Sequence, residues 1–446
     1  MPVAPLGPCR RLPGAAALGV LAALLPATAA PAQEQAPRKL FPDSRPPVAD
    51  DRPSAPLADP AEPPAVDGIR VGSLDPPTLA ALGVRATEEE LGGPLWPAGA
   101  PPELDLLLSR LPADVGEPTL RALQAALLEA PGPSSGAGKD LFLLRVDRLL
   151  AMAEPDAALE LLVLVPEGSR GAEVEARRLL ARLAADQVEP ACGEVETRAS
   201  VDPPWPRARI VCAALAGDAA AVELGLDLLD ARGGEPDPVL AGLARAAVAD
   251  AEDRYRLGPP VADDPALLPL IRRVPLDVDP GVVAELPLPV RRALADNPDL
   301  AAAARAASLG APRPGPSVRA ELNGRPPPSW ADALASVAPG LRPSWLALAD
   351  GLGLEVPEPV WAEVYRTAPG GGGNPAPDLF LWRGLEQARL QGQRGAVLLH
   401  ALLLLGGRPE AAPPVALRRA LDALVGLGLE RPAAAVAAGT GGALGL

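Results

Sequence analysis

Apolar positions recur along this chain at the three-to-four spacing of amphipathic helices. Leu104, Leu107, Leu108 and Leu111 follow i, i+3, i+4, i+7 from Glu103, and the spacing resumes over 119–128. After a loop at 131–138 it predicts helices over 141–152, 157–165, 173–185, 191–198, 207–216 and 219–231. Further on, helices are expected at 330–337, 345–352, 361–365, 379–390, 396–405 and 415–425. Strand-type alternation never persists beyond a few residues, and Ile69-Arg70-Val71-Gly72 is the one stretch that reads as a strand. The fold class expected is all-α.

Between the helices of successive pairs stands an acid, at Glu154, Asp186 and Asp218, each 32 residues after the last. That period lies just under the roughly 34 residues of tetratricopeptide-type hairpins, whose units bury their faces only by stacking on neighbours. Short turns and small residues at the helix crossings (Ala157, Ala191, Ala221) suit antiparallel pairing. An α-solenoid-like array of antiparallel hairpins is therefore expected over 103–257. Over 258–369 proline recurs too often for long helices, leaving short ones such as 265–273 and 289–295; beyond the Gly370–Gly373 joint, 370–446 reads as a last helical piece.

The first 102 residues differ. Arg10 and Arg11, an apolar stretch over 15–25 and the small residues Ala27, Ala29, Ala30 and Ala32 make 1–32 a cleavable signal peptide, too short in its apolar part to span a bilayer of roughly 20 helical residues. Cys9 precedes that stretch, so it is not a lipoprotein acceptor. Over 33–66 prolines and acids alternate with scarcely a large apolar residue, which predicts a disordered arm. An irregular segment, 67–102, leads into the helices. No membrane-spanning segment is expected after cleavage, and the protein is expected to be periplasmic or secreted.

Composition narrows the function classes. Among 446 residues there are 59 Pro and 44 Gly without a Gly-X-Y period, which excludes collagen. Lys occurs only at Lys39 and Lys139, the stamp of a GC-rich genome, so Ala, Gly, Pro and Arg richness is discounted. The net charge of −15 has the wrong sign for nucleic acid, and 2% aromatics leave few stacking platforms.

Cys192 and Cys212 remain in the exported chain. The turn between their helices centres near Asp202, with Pro203-Pro204 closing it, so the cysteines stand level on antiparallel neighbours. Helix axes about 8–10 Å apart must come closer for a disulfide, and Ala191, Gly193, Ala213 and Ala214 supply small surfaces for it. The expectation is a Cys192–Cys212 disulfide; the alternative is two buried free thiols.

The Gly92-Gly93-Pro94-Leu95-Trp96-Pro97-Ala98-Gly99 stretch, the Leu111-Pro112 stop, Cys192 and the run Trp205-Pro206-Arg207-Ala208-Arg209-Ile210-Val211-Cys212 follow a signal peptide and a Pro-rich segment. In this order the chain resembles uncharacterised exported helical-repeat proteins of alphaproteobacterial type, some labelled "antifreeze glycopeptide-related". The resemblance implies export and helical pairs, and no activity. Ice binding needs regular arrays, whereas Thr78, Thr87, Thr119, Thr197 and Thr367 stand apart.

Candidate chemistry is sparse. Gly132-Pro133-Ser134-Ser135-Gly136 matches G-x-S-x-G, but a helix precedes it where a nucleophile elbow needs a strand. In the phosphate-loop reading of Gly136-Ala137-Gly138-Lys139, Pro133 replaces the first glycine and Asp140 the final Ser/Thr. His400, the one histidine, lies among leucines and reads as a core-edge residue. Glu88-Glu89-Glu90 and Asp263-Asp264 read as a solvated face and a helix start. No catalytic residue, cofactor or metal is expected. The leading reading is an envelope interaction scaffold that binds a protein or peptide; the rival is a cell-wall glycan hydrolase acting through acidic residues.

Overall fold

Prolines in this chain begin helices more than they break them. In the computed structural model, which describes residues 78–97, 99, 101–134, 139–232, 237–249, 254–258, 264–297, 300, 327–367 and 378–445, Pro118, Pro155, Pro238, Pro280 and Pro414 each take the first helical position. There the missing N–H would have had no partner and the fixed φ already suits the helix. The signal peptide, the Pro-rich arm, the 69–72 strand and the 370–373 joint lie outside the described residues.

The described residues are mostly helical, as the periodicity predicts. The helices are α1 (Arg85–Glu90), α2 (Leu104–Ser109), α3 (Pro118–Glu129), α4 (Lys139–Ala151), α5 (Pro155–Val163), α6 (Ala172–Ala184), α7 (Val188–Thr197), α8 (Trp205–Leu215), α9 (Ala219–Ala231) and α10 (Pro238–Val248). The middle of the chain forms α11 (Leu268–Arg273), α12 (Pro280–Val283) and α13 (Leu288–Asp296). Then come α14 (Trp330–Ala335), α15 (Arg342–Gly351), α16 (Glu358–Thr367), α17 (Leu379–Leu390), α18 (Arg394–Leu405), α19 (Pro414–Gly426) and α20 (Glu430–Leu444). The strands among the described residues are a two-residue parallel pair, Tyr255–Arg256 with Leu276–Asp277. No helix among them is long and apolar enough to cross a membrane.

From α4 to α10 each helix packs on the next, α4 also on α6 and α8 also on α10. One turn geometry joins these helices repeatedly. Ala153, Asp186 and Gly217 take positive φ of 57°, 62° and 75°. The following N–H reaches back five residues, from Glu154 to Leu149 O, Gln187 to Arg182 O and Asp218 to Ala213 O. These left-handed helix ends satisfy carbonyls that the helix leaves open. Gly392 and Gly428 repeat the turn between α17 and α18 and between α19 and α20. The 32-residue spacing of acids is thus inexact in structural terms: Glu154 and Asp218 both stand at the N-cap position of the next helix, Asp218 accepting there from Ala221 N–H and Glu154 making no cap hydrogen bond, while Asp186 occupies the left-handed position one residue earlier.

The segment over 264–296 runs back along the hairpins, α11 packing on α6, α8 and α10, and α13 on α4. Helices α17 to α20 pack in succession, with α15 against α19. This last set closes on the first helices, since α2 and α3 pack on α18 and α3 also on α20. One buried cluster accordingly extends from Ala80 to Ala437 within the unit Ser73–Leu446. The Gly92-to-Pro97 loop belongs to this closure: Leu95 is buried and accepts through its carbonyl from Gly395 N–H, and a Cβ on Gly395 would stand 2.8 Å from the Trp96 ring.

Candidate functional site

Helices α7 and α8 bring Cys192 and Cys212 together as a disulfide-distance pair, with Cα atoms 5.6 Å apart. The close approach comes from alanines: Ala191 and Ala208 are wholly buried and share a small core with Leu179, Leu183, Val195 and Trp205. Gly193 does not contribute, because a Cβ there would meet nothing within 4 Å. The connecting loop is held by Arg209, which donates to Ser200 O at 3.0 Å and also to Arg198 O, and by the Arg198 guanidinium, 4.6 Å from the centre of the Trp205 ring.

Around this pair runs a network of arginines. Glu194 on α7 receives Arg178 at 3.2 Å and Arg182 at 2.5 Å from α6. Two further arginines act on the hairpin turns. Arg292 from α13 donates to Ala153 O and pairs with Glu154 at 3.0 Å; Arg273 from α11 makes a two-pronged contact with Asp186 at 2.6 and 2.9 Å. Arg272 donates to Ala184 O at 2.7 Å. The negative ends of α4 and α6 are therefore each met by a cation, as the helix dipole favours. Two of the periodic acids thus receive arginines from the proline-rich middle. Beside them Asp156, Asp186 and Asp296 line an open cleft of about 440 Å³ with Arg272 and Arg273, so its carboxylates stand among cations.

Among the described residues Arg145 is the least exposed charged side chain. It is 3% exposed, and its fork donates to Leu128 O, Ala80 O, Leu82 O and Ala130 O. Burial, partly opposed by the charge of Glu129, pushes its pKa down to about 10. One guanidinium thereby satisfies the end of α3 and the 79–81 turn together. In the sequence it is a charged residue inside Leu143-Leu144-Arg145-Val146, a signal that a buried fork was needed there.

The sequence motifs do not assemble. Ser134 is exposed in its loop, whose neighbour Gly132 is fixed by close approach to Ala80 O, 2.1 Å from where a Cβ would stand. His400 is 2% exposed, its Nδ1 is 2.8 Å from Ala396 O, and its Nε2 has no hydrogen-bond partner. Among the described residues no group of three or more His, Cys, Asp or Glu is placed to hold a metal ion. Compared with known proteins, the chain matches no family model, no curated protein and no solved structure.

Proposed function

We propose that the protein is an exported interaction scaffold of the cell envelope, binding a protein or peptide through a tetratricopeptide-like, α-solenoid-like hairpin surface, without catalysis of its own. The observation that carries this reading is α9. Only Val222 of its thirteen residues is buried, while Leu224 and Leu228, one turn apart, are 60% and 50% exposed. Single exposed leucines are ordinary; two adjacent on one helix face, flanked by Asp227 and by Glu223 in its pair with Arg245, make a contact ridge with a charged border. The signal-like residues 1–32 and the cysteine pair support an oxidising compartment, periplasmic or secreted.

The test is a paired retention experiment. Leu224→Asp with Leu228→Asp changes only surface positions, so stability should move by less than about 0.5 kcal/mol per site. Envelope proteins retained by the wild-type chain should be lost. Equal retention by both would remove α9 from the proposal. N-terminal sequencing of the exported form checks the compartment, with a start expected between Ala30 and Gln33.

A second reading, glycan hydrolysis, draws on Glu129. Burial first, and then the charge of Glu160, raise its pKa, the direction a general acid requires. Glu129→Gln abolishing hydrolysis of cell-wall glycan by the purified chain would favour it.

A further inference from the structure

A cavity of about 380 Å³ opens beside the first turns of α16 and α19, lined by Val356, Glu358, Trp361, Val415 and Arg418. Its walls are of two kinds. Val356, Trp361 and Val415 are apolar, and Val415 keeps 37% of its surface exposed. Arg418 and Glu358 are charged and of opposite sign. Arg418 is held in place: its Nε pairs with Asp350 Oδ2 at 2.5 Å and its guanidinium lies 5.7 Å from the centre of the Trp361 ring. Asp350 is itself fixed through its other oxygen, which accepts from Val356 N–H at 3.4 Å. Among the described residues neither the Nη groups of Arg418 nor the Glu358 carboxylate has an ion-pair partner.

We infer that this cavity binds a small zwitterion with an apolar side chain, an apolar α-amino acid or a short apolar peptide. The ligand carboxylate meets Arg418, its ammonium meets Glu358, and its side chain packs against Trp361, Val356 and Val415. Both charges are needed. Asp350 already offsets part of the Arg418 charge, so a bare carboxylate gains little, whereas an added ammonium offsets Glu358. A small pocket with three apolar residues and two opposite charges in its walls has the build of a small-molecule site, and its volume admits an amino acid or a dipeptide. The inference is independent of the scaffold reading.

The experiment follows the indole N–H resonances of the six tryptophans, with Trp361 assigned by Trp361→Phe. Leucine, leucyl-leucine, N-acetyl-leucine and leucinamide are titrated to about 10 mM, enough to register millimolar binding. Leucine or leucyl-leucine should shift the Trp361 resonance, and which of them binds tighter separates a free amino acid from a peptide. N-acetyl-leucine and leucinamide should bind at least about ten-fold more weakly, as should Glu358→Gln and Arg418→Gln. Val415→Trp fills the cavity and should abolish the shift while leaving the melting temperature unchanged; it keeps the test decisive if Arg418→Gln unfolds. No shift with either zwitterion, equal binding by the acetylated or amidated probes, or undiminished binding by folded Val415→Trp would each overturn the inference.

Discussion

The ring of His400 on α18 stands against the backbone of Gly384 on α17, so close that a Cβ at 384 would lie 2.1 Å from Nε2. Because Ala396 O can only accept, Nδ1 carries the proton and Nε2 is bare. A second proton at Nε2 would have no acceptor, and burial lowers the imidazole pKa from its ordinary 6.5, partly opposed by the Ala396 carbonyl and the charge of Glu103. The unfolded chain takes up a proton as pH falls through about 6.5 while the folded chain resists it, so stability present above 6.5 declines below it. Melting curves between about pH 7.5 and 5.5 should show this decline, and His400→Leu should flatten it. Gly384→Ala should destabilise by about 1–3 kcal/mol through overpacking.

Arg145 has no side-chain substitute. Arg145→Lys cannot reproduce the fork, and Arg145→Ala leaves three buried carbonyls and the part-buried Leu82 carbonyl without this donor. Chemical denaturation should show a loss of about 3–5 kcal/mol for the alanine variant, from several carbonyls left unsatisfied at once, and the lysine variant should lose most of that as well. A loss near zero would mean that water replaces the guanidinium.

Ala153 is an alanine in a glycine conformation, at φ 57°. Its carbonyl already meets Arg292, so Ala153→Gly keeps that contact and removes the left-handed penalty. Stability should rise, by about 1 kcal/mol at most, with a matching rise in melting temperature. At Asp186, which shares the conformation, the same change should not stabilise, since it removes both contacts from Arg273.

A bond between Cys192 and Cys212 closes a loop of about 20 residues, which contributes on the order of 3 kcal/mol. Thiol labelling of the denatured, unreduced chain should modify neither cysteine. Cys192→Ala and Cys212→Ala should lower the melting temperature equally, and the double variant no further. Two labelled cysteines would show free thiols instead.

Helices with large apolar residues at helical spacing were legible in the sequence, α17 to the residue. Those built on small residues were not. Helix α20 buries Ala433, Val436, Ala437, Thr440 and Gly441, the i, i+3, i+4, i+7, i+8 face in miniature, yet in a chain this rich in alanine and glycine such residues do not stand out as an apolar stripe. Gly439 shows why they matter: a Cβ there would come 2.9 Å from Glu117 Cγ, at the start of α3. Helix α10 escaped because Pro238 looks like a break when it is a first helical residue capped by Asp237. The closure of the last helices on the first part of the chain has no local trace, since it depends on contacts such as Arg394 with Leu91 O, 303 positions apart. The approach of Cys192 to Cys212 was legible from their level placement about the turn near Asp202. The cavity at Trp361 was not, because its residues come from two segments far apart in sequence, 356–361 and 415–418.

The scaffold reading stands or falls on what touches α9 in the envelope. A photo-crosslinking amino acid placed at 224, and separately at 228, in cells producing the full chain should yield a discrete adduct of defined mass at both positions, lost when the neighbouring leucine is replaced by Asp. Irradiated cells in which the chain is present in the envelope but neither position yields an adduct would contradict the account.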